Sequence, residues 1–484
     1  MNKRKVFNTI GIIAVVEGLL FLLPAIVAFC YREKRAMMAF LISALIAAAF
    51  GGFLMAFSKP KDDVIYAKEG FAIVSLAWVV MSAFGALPFV LSGEVSSYVD
   101  AFFETVSGFT TTGASVLTSV EDKSHGLLFW RSFTHWIGGM GVLVFMMAIV
   151  SNVADRSIHI MRAEMPGPTV GKLAPRVKDT AKILYLIYIV LTVIQIILLL
   201  LGGMPFFESV IHAFGTAGTG GFGAKNDSIA GYSSYLKNVI TVFMLLFGVN
   251  FNIYYLLLIR KFRSVIKSTE LWCYLAIVGV SVAVITLNIL PSYEGVGAAL
   301  EDAAFQVSSI ITTTGYATTD FNLWPQLSKS ILFMLMFVGA CAGSTGGGLK
   351  VSRVIIVFKL IFRELRKMLH PRSVNSVKFE GKSVEKTTLD SVATYFAVYI
   401  ICLAAIFIIL CFEPSGFDFE TNLTAAVACF NNIGPGFGGV GPASNFAAYS
   451  PVSKLVLSAA MLLGRLEIFP LILVCSPSTW RRNR

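Results

Sequence analysis

The stretch Asp100–Ser115, DAFFETVSGFTTTGAS, decides the fold. It reads as a short helix, apolar on most sides, running into a Thr-Thr-Thr-Gly turn. Such a helix has about ten residues, half of the roughly 20 that a bilayer crossing needs. The chain is therefore expected to enter the membrane here and turn back. The device repeats: Asp302–Ala317, DAAFQVSSIITTTGYA, aligns with it without a gap, and Gly113 and Gly315 each lie 13 steps beyond their aspartate. Two weaker copies keep an acidic residue, an apolar helix and a glycine: Glu208–Gly220, 12 steps, and Glu420–Gly434, 14 steps. Four copies in one chain imply a four-fold pseudosymmetric centre.

What such turns expose sets their chemistry. Non-helical backbone at membrane depth is tolerated only where it is buried in protein or lines a water-filled path. Rings of carbonyl oxygens there can replace the hydration shell of a cation. Glycine bends without a Cβ clash and leaves the backbone close to whatever occupies the axis. The acidic residues at the helix starts sit at the positive ends of the helix dipoles, so the negative ends point at the turns and favour cations.

Composition agrees with a membrane setting. Of 484 residues, 56% are hydrophobic and 14% charged, and the apolar runs recur at membrane length. The net charge of +11 comes from basic clusters between apolar spans, which membrane topology explains better than nucleic-acid binding does. Seven cysteines without a paired framework or CxxC spacing, and five scattered histidines, indicate neither disulfides nor a resident metal, and no cofactor is expected in the chain. The basic start and apolar run of 1–30 lack a convincing small-residue cleavage site and read as a retained helix.

Apolar spans fall near 8–29, 37–57, 70–91, 127–151, 181–203, 237–259, 271–291, 328–358, 391–411 and 453–475. The short helices lie between the third and fourth, fifth and sixth, seventh and eighth, and ninth and tenth. The expected fold class is thus an all-α integral membrane protein: four pseudo-repeated helix–pore helix–helix units around a central ion pore, plus two leading transmembrane helices. The segments are 1–60 for the leading pair and 61–155, 156–262, 263–372 and 373–484 for the repeats. Lys and Arg number six in 154–182, four in 260–270 and eight in 358–386, against Lys123 and Lys225 alone in the four loops that carry the turns. By the positive-inside rule the basic loops and both termini are cytoplasmic and the turns face outward. Arg32, Lys34 and Arg35 fall outside by parity, with Glu33 among them.

TTTGAS at 110–115, HWIGGMG at 135–141, STGGGLK at 344–350, NNIGPG at 431–436 and GRLEIFP at 464–470 together resemble the Trk/Ktr/HKT superfamily of potassium transporters, over almost the whole chain. The two leading spans and the length resemble its TrkH branch. The resemblance implies a potassium-selective conduit in the bacterial cytoplasmic (inner) membrane, working as a homodimer in membrane lipid and gated by a cytosolic TrkA-type nucleotide-binding ring. Potassium would be the substrate, held by backbone carbonyls of Thr111, Thr112 and Gly113; Gly218, Thr219 and Gly220; Thr313, Thr314 and Gly315; and Asn432, Ile433 and Gly434. Only one glycine per copy is shared, which points to looser selectivity than a TVGYG filter gives. Serine at Gly113 or Gly315 is expected to relax selectivity without unfolding the chain.

The eighth span demands a break: 331–362 as continuous helix would run about 48 Å, beyond the roughly 30 Å hydrocarbon core. Gly339, Gly343 and the three consecutive glycines Gly346, Gly347 and Gly348, around Ser344 and Thr345, make helix costly there. The resemblance assigns 339–350, ending at Lys350, to an intramembrane loop that obstructs the pore. Few side chains are expected to hold it. Arg465, inside the last span, is functional by default as a buried membrane arginine; the resemblance sets its charge near the pore below the filter. A helix partner two positions away, Glu467, does not face it. Arg131 and His135 carry no assigned role.

Gly343–Lys350 fails as a phosphate loop, since no Ser or Thr follows the lysine, and Gly436, Gly438 and Gly441 match GxGxxG outside any βαβ unit. No constellation of nucleophile and base suggests an enzyme. A symporter coupling potassium to sodium or protons is the alternative; it needs a carboxylate at midplane, and the turns show acids only at helix starts.

Overall fold

In the computed structural model the described residues are 1–59, 66–141, 177–372 and 376–480. The last part of the fourth span, the basic residues Arg156, Arg162, Lys172 and Arg176, and the 155/156 repeat boundary lie outside them. Among the described residues the chain is helical apart from a two-stranded hairpin, Lys378–Phe379 with Lys382–Ser383.

Each repeat contributes an entry helix, a short pore helix and an exit helix. The entry helices are Ala67–Gly85 with Leu87–Leu91, Val177–Leu201, Thr269–Ile289 and Lys386–Leu410. They are long and apolar enough to cross a membrane. Their outer faces expose residues such as Leu186, Leu287 and Ile401, as lipid requires. The pore helices are Tyr98–Phe109, Phe206–Ala217, Val296–Ile311 and Phe419–Phe430. At 12 residues a helix spans about 18 Å and stops inside the bilayer. Their buried faces hold Ala, Phe, Val, Ser and Thr, and the first and fourth are capped at their starts: Ser97 Oγ accepts from Asp100 N at 3.4 Å and Asp418 from Thr421 N at 2.9 Å. The Thr421 hydroxyl and amide hold the Asp418 carboxyl below its usual range.

The exit helices are where the fold departs from its expected spans. The eighth span breaks as expected, between Gln326–Val338 and Val351–Leu369. So do the sixth and tenth, which were expected to run on. Ser234–Phe247 and Phe251–Leu258 meet at 89° across Gly248–Asn250. Pro451–Arg465 and Phe469–Cys475 are separated by residues 466–468, of which Glu467 and Ile468 are at positive φ. Left-handed backbone is costly for a β-branched isoleucine. It persists because the Glu467 carboxylate pairs with Arg353 at 2.6 Å and Ile468 N donates to Leu463 O at 2.8 Å. His125–Gly139 ends in the first repeat just before Gly141, also at positive φ. Among the described residues three exit helices are therefore interrupted after their first segment, and the first exit helix is described only as far as its end at Gly139.

Tyrosines from the following entry helix brace the end of the first exit helix and the break in the second. Tyr188 Oη donates to Trp136 O at 3.0 Å, beside Gly139, and Tyr274 Oη to Leu245 O at 3.3 Å, beside Gly248.

The leading helices, Lys3–Leu20 with Leu22–Cys30 and Lys34–Phe57, cross with backbones in contact at Gly11 and Gly51. Glu33, between them, caps the exit helix of the first repeat: His125 N and Gly126 N donate to its carboxylate at 2.8 and 3.1 Å. The Arg32–Arg35 turn thus lies on the same side as the loop after the first turn, where parity put it.

Candidate functional site

The four turns form a ring. Each pore helix is closed by the same pattern of hydrogen bonds: Thr111 N to Gly108 O and Thr112 N to Ser107 O in the first, Thr219 N to Thr216 O and Gly220 N to Gly215 O in the second. Thr313 and Thr314 repeat it, and so do Asn432 and Ile433. Left-handed residues then fall two apart in every copy: Thr111 and Gly113, Thr219 and Gly221, Thr313 and Gly315, Asn432 and Gly434. The second copy is therefore shifted by one residue from the expected Gly218, Thr219 and Gly220. Its equivalent triplet is Thr219, Gly220 and Gly221, and Glu208 to Gly221 restores the 13 steps of the first and third copies. Gly218 ends the helix instead, where the other copies have Thr110, Thr312 and Asn431.

Ring closure is visible in what each glycine touches. A Cβ on Gly113 would strike the Gly220 carbonyl, one on Gly221 the Thr314 carbonyl, one on Gly315 the Ile433 carbonyl, and one on Gly434 would stand 2.7 Å from the Thr112 carbonyl. Copy one abuts two, two abuts three, three abuts four and four abuts one. Positive φ and the absence of space both demand glycine. Serine at Gly113 or Gly315 is thus not a mild substitution; it must displace a carbonyl of the neighbouring copy. Above the ring a cavity of about 150 Å³ is lined by Gly113, Gly221, Gly315 and Gly434 with Ser115, Arg131 and Lys225.

The turns are braced differently. In copies one and three the outer threonines pair, Thr110 with Thr112 and Thr312 with Thr314, both at 2.8 Å. Asn432 Nδ2 ties copy four to one, donating to Thr112 Oγ1 at 3.0 Å, and Tyr399 Oη donates to Asn431 Oδ1 at 2.9 Å. Copy two has glycine at 218 and 220, and the His135 ring and carbonyl fill the space beside them.

Below the ring lies the expected loop, buried and facing the turns. Gly346 lies against Thr312 O and Gly347 against Asn431 O and the Asn432 side chain; Gly347 N donates to Thr313 Oγ1 at 2.6 Å. A cavity of about 30 Å³ there is lined by Gly139, Phe251, Gly346, Gly464, Lys350 and Arg465, among others. The expectation that few side chains hold the loop is overturned. Lys350 Nζ donates to Gly346 O, Thr345 Oγ1 to Phe247 O at 3.2 Å, and Ala342 N to Glu270 Oε1 at 2.7 Å. Arg465 donates to Thr345 O at 2.8 Å and to Gly138 O and Gly139 O at 2.5 and 2.9 Å, joining repeats one, three and four. Glu467 pairs with Arg353 and not with Arg465, as helix geometry implied.

Three residues left without a role, or with another role, belong to the site. Arg131 lies buried against Glu104 at 2.7 Å, with Phe222 3.9 Å from its guanidinium carbon, and His135 Nδ1 meets Gly108 O at 2.7 Å. Glu104 sits in the middle of its pore helix, which corrects the reading that acids stand only at helix starts. It accepts from Ser115 Oγ at 3.0 Å and Val116 N at 3.0 Å. Nine residues before each ring glycine stand Glu104, His212, Gln306 and Ala425. This recurring position was a readable signal; the first and third residues stitch their own copy's outgoing strand, Gln306 through Thr318 at 3.5 Å. At the outer edge Lys454, in the last span, donates to Asp100 at 2.6 Å and closes repeat four on repeat one.

A family profile described as TrkH, cation transport protein, matches residues 36–482. The chain belongs to the TrkH family. It is a multi-pass membrane transport protein and not an enzyme. It is 36% identical to the Trk system potassium uptake protein TrkH of Salmonella typhimurium, over 99% of this chain and 100% of that one. It is 34% identical to the Trk system potassium uptake protein TrkG of Escherichia coli (strain K12), over 99% of each. The crystal structure of the potassium transporter TrkH from Vibrio parahaemolyticus matches with a TM-score of 0.89 at 32% identity, covering 99% of this chain and all of that one.

Proposed function

We propose that this TrkH-family protein takes up potassium through the ring of turns. Carbonyls of Thr111–Gly113, Thr219–Gly221, Thr313–Gly315 and Asn432–Gly434 replace the ion's water, and the pore-helix C-termini supply negative potential. The observation that carries this is the closed carbonyl-to-glycine ring, where each copy's backbone approaches the next with no room for a side chain. Uptake is driven by the membrane potential, about 2.3 kcal/mol per charge for each 100 mV. The symporter reading gains no support from Glu104, whose charge Arg131 already compensates.

Conduction is gated from below. The segment 339–350, with Gly343, Ser344, Thr345, Gly346, Gly347, Gly348 and Lys350, occupies the path under the ring and is latched there by Arg465. The helix Val351–Leu369 follows it directly and presents Arg366 and Lys367, exposed, to the cytoplasm. There a TrkA-type nucleotide-binding ring engages, and its movement withdraws the loop. The working unit is a homodimer in the bacterial inner membrane with both termini cytoplasmic, each subunit comprising the leading pair 1–60 and the repeats 61–155, 156–262, 263–372 and 373–484. Crystals grown in rubidium test the filter: anomalous peaks on the axis at the height of the ring are expected, and rubidium bound elsewhere with an empty ring would refute the assignment. Flux into liposomes with potassium, rubidium and sodium compared at fixed voltage tests the transport, and a fixed coupling ratio to sodium or protons would favour the symporter.

A further inference from the structure

The second turn has lost the braces that hold the others. Gly218 and Gly220 replace the threonines whose hydroxyls pair in copies one and three, and no amide side chain stands in as in copy four. Within the turn Thr219 Oγ1 donates to Gly218 O at 2.6 Å, and the rest of its support comes from outside. Tyr316, the residue after Gly315 of the third copy, reaches across, and its hydroxyl lies 3.1 Å from Phe222 O, directly after Gly221, and 3.3 Å from His212 O. His212 Nδ1 approaches the same hydroxyl at 3.4 Å. The other imidazole nitrogen meets Tyr232 Oη at 3.1 Å, and Tyr232 Oη donates to Glu208 at 2.7 Å. Lys225 Nζ lies 4.4 Å from the centre of the Tyr232 ring. Tyr316 and His212 are fully buried.

Two further bonds join the same strands. Ile229 N donates to Ala317 O at 3.0 Å and Ala317 N to Ser228 Oγ at 3.2 Å. Copies two and three are therefore one unit behind the ring. Among the residues after the ring glycines, Ala114, Phe222, Tyr316 and Pro435, only tyrosine carries a hydroxyl able to make this reach. Gly215 of the second pore helix leaves the room for it, since a Cβ there would strike the Tyr316 hydroxyl.

We infer that Tyr316, which donates its single proton to Phe222 O and packs against the His212 ring that Tyr232 and Glu208 hold, is a positioning residue that sets the spacing of the second filter copy, and with it the preference of the conduit for potassium over the smaller sodium. The inference rests on the proposed filter. With the clamp, the glycine-rich turn keeps its carbonyls at the distance the other three copies impose. Without it, Gly220 and Gly221 relax toward the axis and coordinate a smaller ion.

The test is Tyr316→Phe, which removes one oxygen from a buried ring, with Tyr232→Phe as a second variant that leaves Tyr316 in place and loosens its support. Potassium, rubidium and sodium fluxes are measured in liposomes. Tyr316→Phe is expected to lower the potassium-to-sodium ratio by about fivefold, the weight of one net hydrogen bond, chiefly by raising sodium flux, and Tyr232→Phe to lower it in the same direction by less. A purely structural role would lower all three fluxes together and overturn the inference. So would an unchanged ratio in both variants. Rubidium peaks at the ring in the parent protein decide the filter reading separately: peaks present with an unchanged ratio defeat the clamp alone, and peaks absent defeat both.

Discussion

At the residue scale, the site is governed by a few positions where backbone or charge has no alternative. Arg131 and Glu104 are both buried and bonded to each other, with Ser115 and Val116 completing the carboxylate. Breaking one half of such a pair costs about 3–5 kcal/mol because the other charge stays buried and unpaired. Arg131→Met should therefore lower the melting temperature of the detergent-purified protein markedly, and the double change with Glu104→Gln should recover part of the loss. The melts of the single and double variants decide it; equal melting would mean the pair is not coupled. Lys454→Met leaves Asp100 able to reach water, since that carboxylate is partly exposed. Its expected effect is smaller, below about 1–2 kcal/mol, and the same melts measure it.

At the element scale, the interrupted exit helices matter more than the spanning ones. A helix end or break leaves carbonyls without intrahelical donors, and here those carbonyls become anchor points: Gly138 O and Gly139 O at the end of the first exit helix for Arg465, Phe247 O at the break of the second for Thr345. The loop is held by identifiable bonds, so its release has an identifiable cost. A hydrogen bond to a charged group contributes about 1.5–3 kcal/mol. On the proposed gating, Arg465→Ala is expected to raise basal potassium flux in the absence of the proposed regulatory partner about tenfold or more, and to shrink any further activation by that partner. Liposome flux with and without the partner checks it, and a folded variant no faster than the parent would sink the gate. Removing Gly346–Gly348 should act in the same direction, but Gly347 also donates to Thr313 under the ring. A fall in selectivity should therefore accompany that deletion and be absent from Arg465→Ala, which the same sodium and potassium fluxes resolve.

At the scale of the whole molecule, the loop connects directly to the helix Val351–Leu369, with Phe358, Phe362, Leu365 and Leu369 exposed along one side and half-buried Lys359 and Arg363 with exposed Arg366 and Lys367 along another. Reversing the charge at Arg363, Arg366 and Lys367 should weaken capture of the proposed cytosolic ring in a pull-down from mixed purified components; undiminished capture would place the proposed contact elsewhere. The sequence by itself determined what depends on local pattern. Apolar runs of membrane length, the acid-to-glycine spacing of the turns and the glycine cluster of the eighth span are all set by neighbours along the chain. Three further decisions belonged to the tertiary structure. The second turn reads from the sequence as Gly218, Thr219 and Gly220, and only the capping bonds and the Thr314 carbonyl of the adjacent copy shift it to Gly221. The breaks in the sixth and tenth spans depend on distant partners such as Arg353 for Glu467, 114 residues away. The latch and the ring closure join residues 120 and 354 positions apart, Arg465 with Thr345 and Lys454 with Asp100. Periodicity carries no information about such pairs, because their free energy arises only when four separately formed units close around one axis and leave each charge a single place to be satisfied.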